Sequence, residues 1–339
     1  MDEVSTRSAR GILALLGVKG LGPATLSKVT AAFDTLGSVA AAGDEGLKGH
    51  ASAPVRAALA GPALGEALAA ADRTLAYVAE MGGGAVSCFD GTYPFRLLPL
   101  NDRPPVVFYQ GDLSCLDKSV ACVGTREPTR YGEAVSSRVS AMLASAGWTV
   151  VSGLARGVDR ICHRAAVEAG GRTAAVLGCG FAAMPSDPAR ALAEEIVASG
   201  GLVLTEHHPT READPSSLIR RNRVITGVSA ATFFLQGALD GGSMHSVRYA
   251  VVQGRPVFAP MVPAAFADEP LNQAAACMTG MRPSEFLSLI EAKDSFAEAV
   301  ARLGRPTLAL PFAGRDDYPA VLAELDGLLE PAAGGPPSP

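Results

Sequence analysis

A doubly wound, mostly parallel α/β sheet preceded by an all-helical segment is the fold this sequence predicts. Three observations carry the prediction. Short apolar runs recur at residues 119–123, 148–151, 174–177, 202–204 and 231–235. Loops rich in glycine and arginine follow them: Val123-Gly124-Thr125-Arg126, then Ser152 to Asp159, Gly178-Cys179-Gly180, Thr205-Glu206, Arg221-Asn222-Arg223 and Gly241-Gly242-Ser243. Residues 1–81, by contrast, are rich in Ala and Leu at helical spacing and lack that repeat. In a doubly wound sheet the carboxyl ends of the strands line one crevice. Glycines there let main-chain N–H groups approach an anion, and helix N-termini add partial positive charge.

In chain order, Leu15-Leu16-Gly17-Val18-Lys19-Gly20-Leu21-Gly22-Pro23 runs into Ala24 to Val29. This reads as helix, tight Gly-Leu-Gly turn, helix, with Pro23 at the first helical position. It resembles a helix-hairpin-helix unit that offers Lys19, Gly20, Gly22 and Lys28 to a DNA phosphate; the alternative is a packing module. Gly82-Gly83-Gly84 reads as a hinge between a helical domain over 1–81 and a sheet domain over 85–285. The prolines between Tyr93 and Pro105 break helix, and residues 106–109 read as an edge strand. Residues 286–339 read as a short C-terminal tail, with a disordered end at Ala332 to Pro337.

Composition excludes several classes. No apolar run is long enough to span a bilayer. Without a basic-then-apolar start, a cytoplasmic protein is expected. Six cysteines form no C-x-x-C pair and five histidines do not cluster with them, so reduced thiols and no metal site are expected. The formal charge of -5 argues against a non-specific DNA coat but leaves room for a local site.

Each loop has a functional and a structural reading. Arg126, two residues past Gly124, is an anion clamp over the crevice or a solvated turn residue. In Ser152-Gly153-Leu154-Ala155-Arg156-Gly157-Val158-Asp159, Gly153 and Gly157 flank a turn that an anion would approach. Asp159 is expected to cap the next helix, and His163 to be structural. Gly178-Cys179-Gly180-Phe181-Ala182-Ala183 spells G-x-G-x-x-A. Pro185 and Pro188 prevent a helix from Gly180, so no dinucleotide cofactor is expected. Leu218, Ile225 and Val228 could face the core. Arg221 and Arg223, two apart, cannot share a helix face; one reaches the crevice while the other pairs or packs. Gly241-Gly242-Ser243 opens the last helix of the sheet.

Together these motifs resemble the DNA-processing protein A family, DprA/Smf. The residues that carry the likeness are Gly124-Thr125-Arg126 with Tyr131-Gly132, Ser152 to Asp159, Arg221 to Ser229, and Gly241-Gly242-Ser243. The resemblance covers about residues 10 to 262. It implies an extended Rossmann-like domain behind a helix-hairpin-helix, SAM-like one. It further implies a single-stranded-DNA-binding recombination mediator that acts in natural transformation, loads the RecA recombinase, forms a homodimer, and needs no cofactor. Arg126, Arg156, Arg221 and Arg223 would neutralise phosphates, with Thr125, Ser152, Asn222, Ser243 and the loop glycines positioning them. The sequence departs from the family pattern at Gln236-Gly237, where E-A is usual, and at Asp240-Gly241. It has no tyrosine after Cys179-Gly180 and no room for the winged helix of many members.

The alternative is a nucleotide sensor or a hydrolase like the related LOG phosphoribohydrolases. Their catalytic glutamate falls on Arg248 here, and Gln236 does not titrate, so turnover is not expected.

Overall fold

In the computed structural model, which describes residues 1–184, 186–292 and 295–329, all five apolar runs are strands. Alternation sorts their side chains to two faces. Ala121 and Val123 enter one core with Val151, Val176 and Phe234. Val120 and Cys122 enter the opposite one with Val150, Phe233 and Leu235.

Nine strands form one sheet among the described residues: β1 Gly83–Ser87, β2 Val106–Gly111, β3 Ser119–Gly124, β4 Thr149–Ser152, β5 Thr173–Leu177, β6 Leu202–Thr205, β7 Thr232–Gln236, β8 Val257–Pro260 and β9 Leu310–Phe312. Their order is β1-β2-β6-β5-β4-β3-β7-β8-β9. From β6 to β9 every pairing is parallel; β1–β2 and β2–β6 are antiparallel. The chain winds outward from β3 through β4, β5 and β6, then returns to place β7 on the other side of β3. The order therefore reverses at β3, which is where such sheets open a crevice beyond their carboxyl ends.

Three expectations are corrected. Residues 106–109 are not at an edge, because β1 pairs along β2 from Gly83↔Gln110 to Ser87↔Val106 and covers it. Only Gly82, at φ +71°, turns the chain; Gly83 and Gly84 already belong to β1. Residues 295–329 are no loose tail. β9 pairs with β8, and the Tyr318–Gly327 helix buries Val321 and Leu325 against the β3–β7 face. The expected disorder at 332–337 lies outside the described residues.

The helical segment folds as its sequence suggests around the turn. Ser8 caps the Ala9–Gly17 helix by accepting from Gly11 N, Gly20 takes φ +88°, and Gly22 precedes Pro23 at the start of the Pro23–Ala32 helix. Its apolar faces share one core with the sheet: Ile12, Leu15, Leu59 and Leu64 lie in a cluster with Phe108, Ala175, Leu177 and Val203. No helix among the described residues is long and apolar enough to cross a membrane.

Candidate functional site

The strand ends at the reversal point enclose a cavity of about 490 Å³. Val123 and Gly124 end β3 and Thr125 and Arg126 follow it, Gly237 and Ala238 follow β7, and Gly241 and Gly242 lead into the Ser243–Val252 helix, which adds Ser243 and Ser246. Arg221 and Asn222 close the opposite wall, beside an apolar strip of Leu218, Ile219 and Ile225. Eight predicted site residues thus meet: Gly124, Thr125, Arg126, Arg221, Asn222, Gly241, Gly242 and Ser243.

The cavity presents donors. Arg126 is exposed and meets no carboxylate within ion-pair distance among the described residues. Main-chain N–H groups of Gly242 and Ser243 find no protein acceptor among those residues, as first-turn N–H groups of a helix do. They add the positive end of the helix dipole.

The arginine pair divides as its spacing requires. Arg221 is only 5% exposed, and its Nη1 donates to Gly153 O at 2.6 Å and to Val176 O. Arg223 holds Glu206 in a two-pronged bond, Nη1 to Oε1 at 2.6 Å and Nη2 to Oε2 at 2.7 Å, with Asp102 3.2 Å from Nε. Burial pushes Glu206 up, but Arg223 outweighs it and holds the carboxyl below its ordinary range. Arg223 is therefore a fold-bearing ion pair that does not line the cavity, contrary to its expected role as a phosphate ligand.

Gly153 is required for a different reason than expected. A Cβ there would strike the Arg221 guanidinium, so arginine fills the place assigned to an anion. Gly157 does need its freedom: it sits at φ +82° and ψ -132°, and a Cβ would come within 2.5 Å of the Arg126 carbonyl group. Val158 N donates to Thr125 O at 3.1 Å across the same contact. The 157 loop therefore braces the loop that carries Arg126. Ser152 is buried and donates to Cys122 O at 2.7 Å. Arg156, exposed, pairs with Glu127; such surface pairs are weak. None of Ser152, Gly153, Arg156, Gly157 or Arg223 lines the cavity.

Asp159 does not cap its helix; Gly157 occupies that position. The carboxylate turns back to accept from Ala155 N at 3.3 Å. Burial pushes Asp159 up and Arg221 down, and each charge opposes the other's shift. His163 is structural as expected, with Nδ1 2.7 Å from Thr173 Oγ1. Arg248 lies over the Phe296 ring at 5.1 Å and does not line the cavity. The Gln236 amide is spent on Thr129 and Asn272. Lys19 and Lys28 are exposed, and neither they nor Gly20 and Gly22 line the cavity. Sequence reasoning missed the apolar wall of Pro215, Ile219 and Leu271; Leu218, assigned to the core, belongs to it too.

A reversal-point crevice whose Gly242 and Ser243 N–H groups and Arg126 guanidinium meet no partner among the described residues defines a doubly wound α/β protein with a donor-lined cavity at its strand ends. The DNA recombination-mediator protein A family matches residues 85–282. The chain belongs to that family. It is 36% identical over 189 residues to DNA processing protein DprA of Bacillus subtilis, covering 55% of this chain and 63% of that one, so less than two-thirds of the relative's length is spanned. The X-ray structure of DNA processing protein A from Streptococcus pneumoniae superposes with a TM-score of 0.64 at 25% identity, over 87% of this chain and 97% of that one. A structure of DNA processing protein A from Helicobacter pylori, solved for its single-stranded DNA binding mode, shares the fold at a TM-score of 0.52 and 22% identity, over 71% and 96%.

Proposed function

We propose that this protein binds single-stranded DNA by its phosphates in the β3–β7 crevice and serves as a recombination mediator that loads RecA. The carrying observation is the convergence of Arg126, the Gly242 and Ser243 N–H groups and Asn222 around one cavity. Family membership and the subject of the Helicobacter pylori structure support the same ligand. A homodimer in the cytoplasm, acting on incoming DNA during transformation, is the working form in this reading. Helix-hairpin residues Lys19, Gly20, Gly22 and Lys28 would supply an auxiliary phosphate contact.

The second reading is a nucleotide sensor, favoured by a cavity within the size range of small-molecule sites. Turnover is not part of either reading. Glu206 is held by Arg223, and Arg248, at the position of the hydrolase glutamate, is turned to Phe296. An anisotropy titration of single-stranded DNA, duplex DNA and nucleoside monophosphates at two salt concentrations tests the choice. Preference for the single strand with a steep salt slope is expected. Tight, salt-insensitive binding of a mononucleotide would instead select the sensor, and release of free base that is lost in Glu206→Gln would select the enzyme.

A further inference from the structure

A second cavity, of about 390 Å³, opens between the end of the Ser243–Val252 helix and the Ser295–Ala301 helix. Arg255, Arg302 and Arg305 line it, against one carboxylate among the described residues, Glu298. Glu298 reaches Arg302 only at 3.5 Å, in an exposed i,i+4 pair. Such a pair holds little of either charge.

Arg255 is the anomaly. Its side chain is half-buried, and Nη2 donates to the carbonyl of Arg96 at 3.1 Å. Its Nε is buried with no hydrogen-bond partner among the described residues. Burial depresses this guanidinium, and no carboxylate of the described residues counters that effect. Arg96, next to it, is also buried and bonds only to the carbonyls of Leu116 and Asp117. Burial and the Arg255 charge lower it to about 10, with the Asp117 carboxylate opposing them only in part. Carbonyl oxygens satisfy N–H groups but do not neutralise a cation. A sequestered charge without a counter-ion is costly, and the guanidinium fork matches the oxygens of phosphate.

We propose that this cavity is a second phosphate-binding site, separate from the crevice and built on Arg255, Arg302 and Arg305. The inference does not rest on the reading of the crevice. The ten-residue helix between the two cavities rises about 15 Å, a distance one nucleic-acid strand can follow. The phosphate is therefore either part of a DNA backbone or a free phosphate ion.

The test uses the full chain and inorganic phosphate, at constant ionic strength with chloride as the replacing anion. Melting temperature is followed against phosphate concentration. A saturable rise is expected for the wild type and for Arg126→Gln, with at least tenfold weaker apparent affinity in the Arg302→Gln/Arg305→Gln double variant, which leaves the half-buried Arg255 in place. Single-stranded oligonucleotide titrations of the double variant then separate the sources. A salt slope reduced by about one to two assigns the site to DNA backbone; an unchanged slope assigns it to free phosphate. Equal phosphate responses in wild type and double variant, or a response removed by Arg126→Gln, overturn the second site.

Discussion

Gly157→Ala is the most discriminating perturbation of the crevice. The added Cβ meets the carbonyl group of Arg126 and the carbonyl oxygen of Thr125 at 2.5 Å, and both are main-chain atoms that no rotamer change can remove. The native φ of +82° adds strain for any L side chain, about 1–3 kcal/mol for such conformations. An unfolding entropy of roughly 2.1 cal/mol/K per residue gives about 0.7 kcal/mol/K for a chain of this length. A loss of about 3 kcal/mol therefore lowers Tm by only about 4 °C, and the protein remains folded at assay temperature. Binding should fall more sharply, because relief of the clash pushes away the loop that holds Arg126. At least a tenfold rise in Kd for single-stranded DNA is expected by anisotropy. Gly242→Ala is the control: its φ is -58° and nothing lies within 4 Å of the added carbon, so its Tm should match the wild type. If Gly157→Ala melts and binds as the wild type does, the bracing of the Arg126 loop is refuted.

Arg126→Ala should weaken binding to all sequences alike and reduce the salt slope by about one, whereas Arg223→Ala should leave Glu206 unpaired, cost about 3–5 kcal/mol in urea unfolding, and spare the slope; equal slopes for wild type and Arg126→Ala would remove Arg126 from the interface. Lys19→Ala/Lys28→Ala should raise Kd several-fold without changing Tm, since both side chains are exposed; deletion of the helices would not test this, because they share a core with the sheet, and an unchanged Kd makes the hairpin purely a packing unit. His163 is fully buried, and burial, aided by Arg221, lowers its imidazole to about 3. Its folded pKa is depressed, so its contribution is complete above about pH 6.5 and is lost toward pH 3 as the unfolded chain takes up the proton, at about 1.4 kcal/mol per pH unit. His163→Asn should flatten the fall in Tm between pH 6.5 and 4, and parallel curves would contradict the assignment.

The central strands were legible because each is an apolar run, ended by glycine in all but β6, and the signal is local. β1 was not, because Gly83-Gly84 carries the composition of a hinge while pairing as a strand. β9 is three residues long with Pro311 in it, and only its parallel partner β8 identifies it. At the site, the loops could be read but not their occupants. Nothing near Gly153 in sequence announces that Arg221 fills the space beside it. Glu206 and Arg223 were each visible, yet their bond joins the end of β6 to a separate helix. The Asp159 expectation failed because acidic residues in a first helical turn usually cap it, and here Gly157 turns the chain so that the carboxylate faces inward. The apolar wall has no motif, since Ile219 and Leu271 meet only in the folded chain.

Arg221 ties the loop after β4 to Val176 near the end of β5 through two carbonyls, and its own helix to both. A cation held in this way is immobilised once, when the chain folds. A surface lysine or arginine must surrender its rotamer freedom each time a ligand arrives, whereas this one keeps its position between encounters. Under the proposed reading, this cation, partly offset by Asp159 on the same cavity wall, would stand in place while the crevice is empty and act on an approaching polyanion before contact. The contribution of Arg221 would then appear chiefly in the rate of capture, and release would be governed by the exposed Arg126.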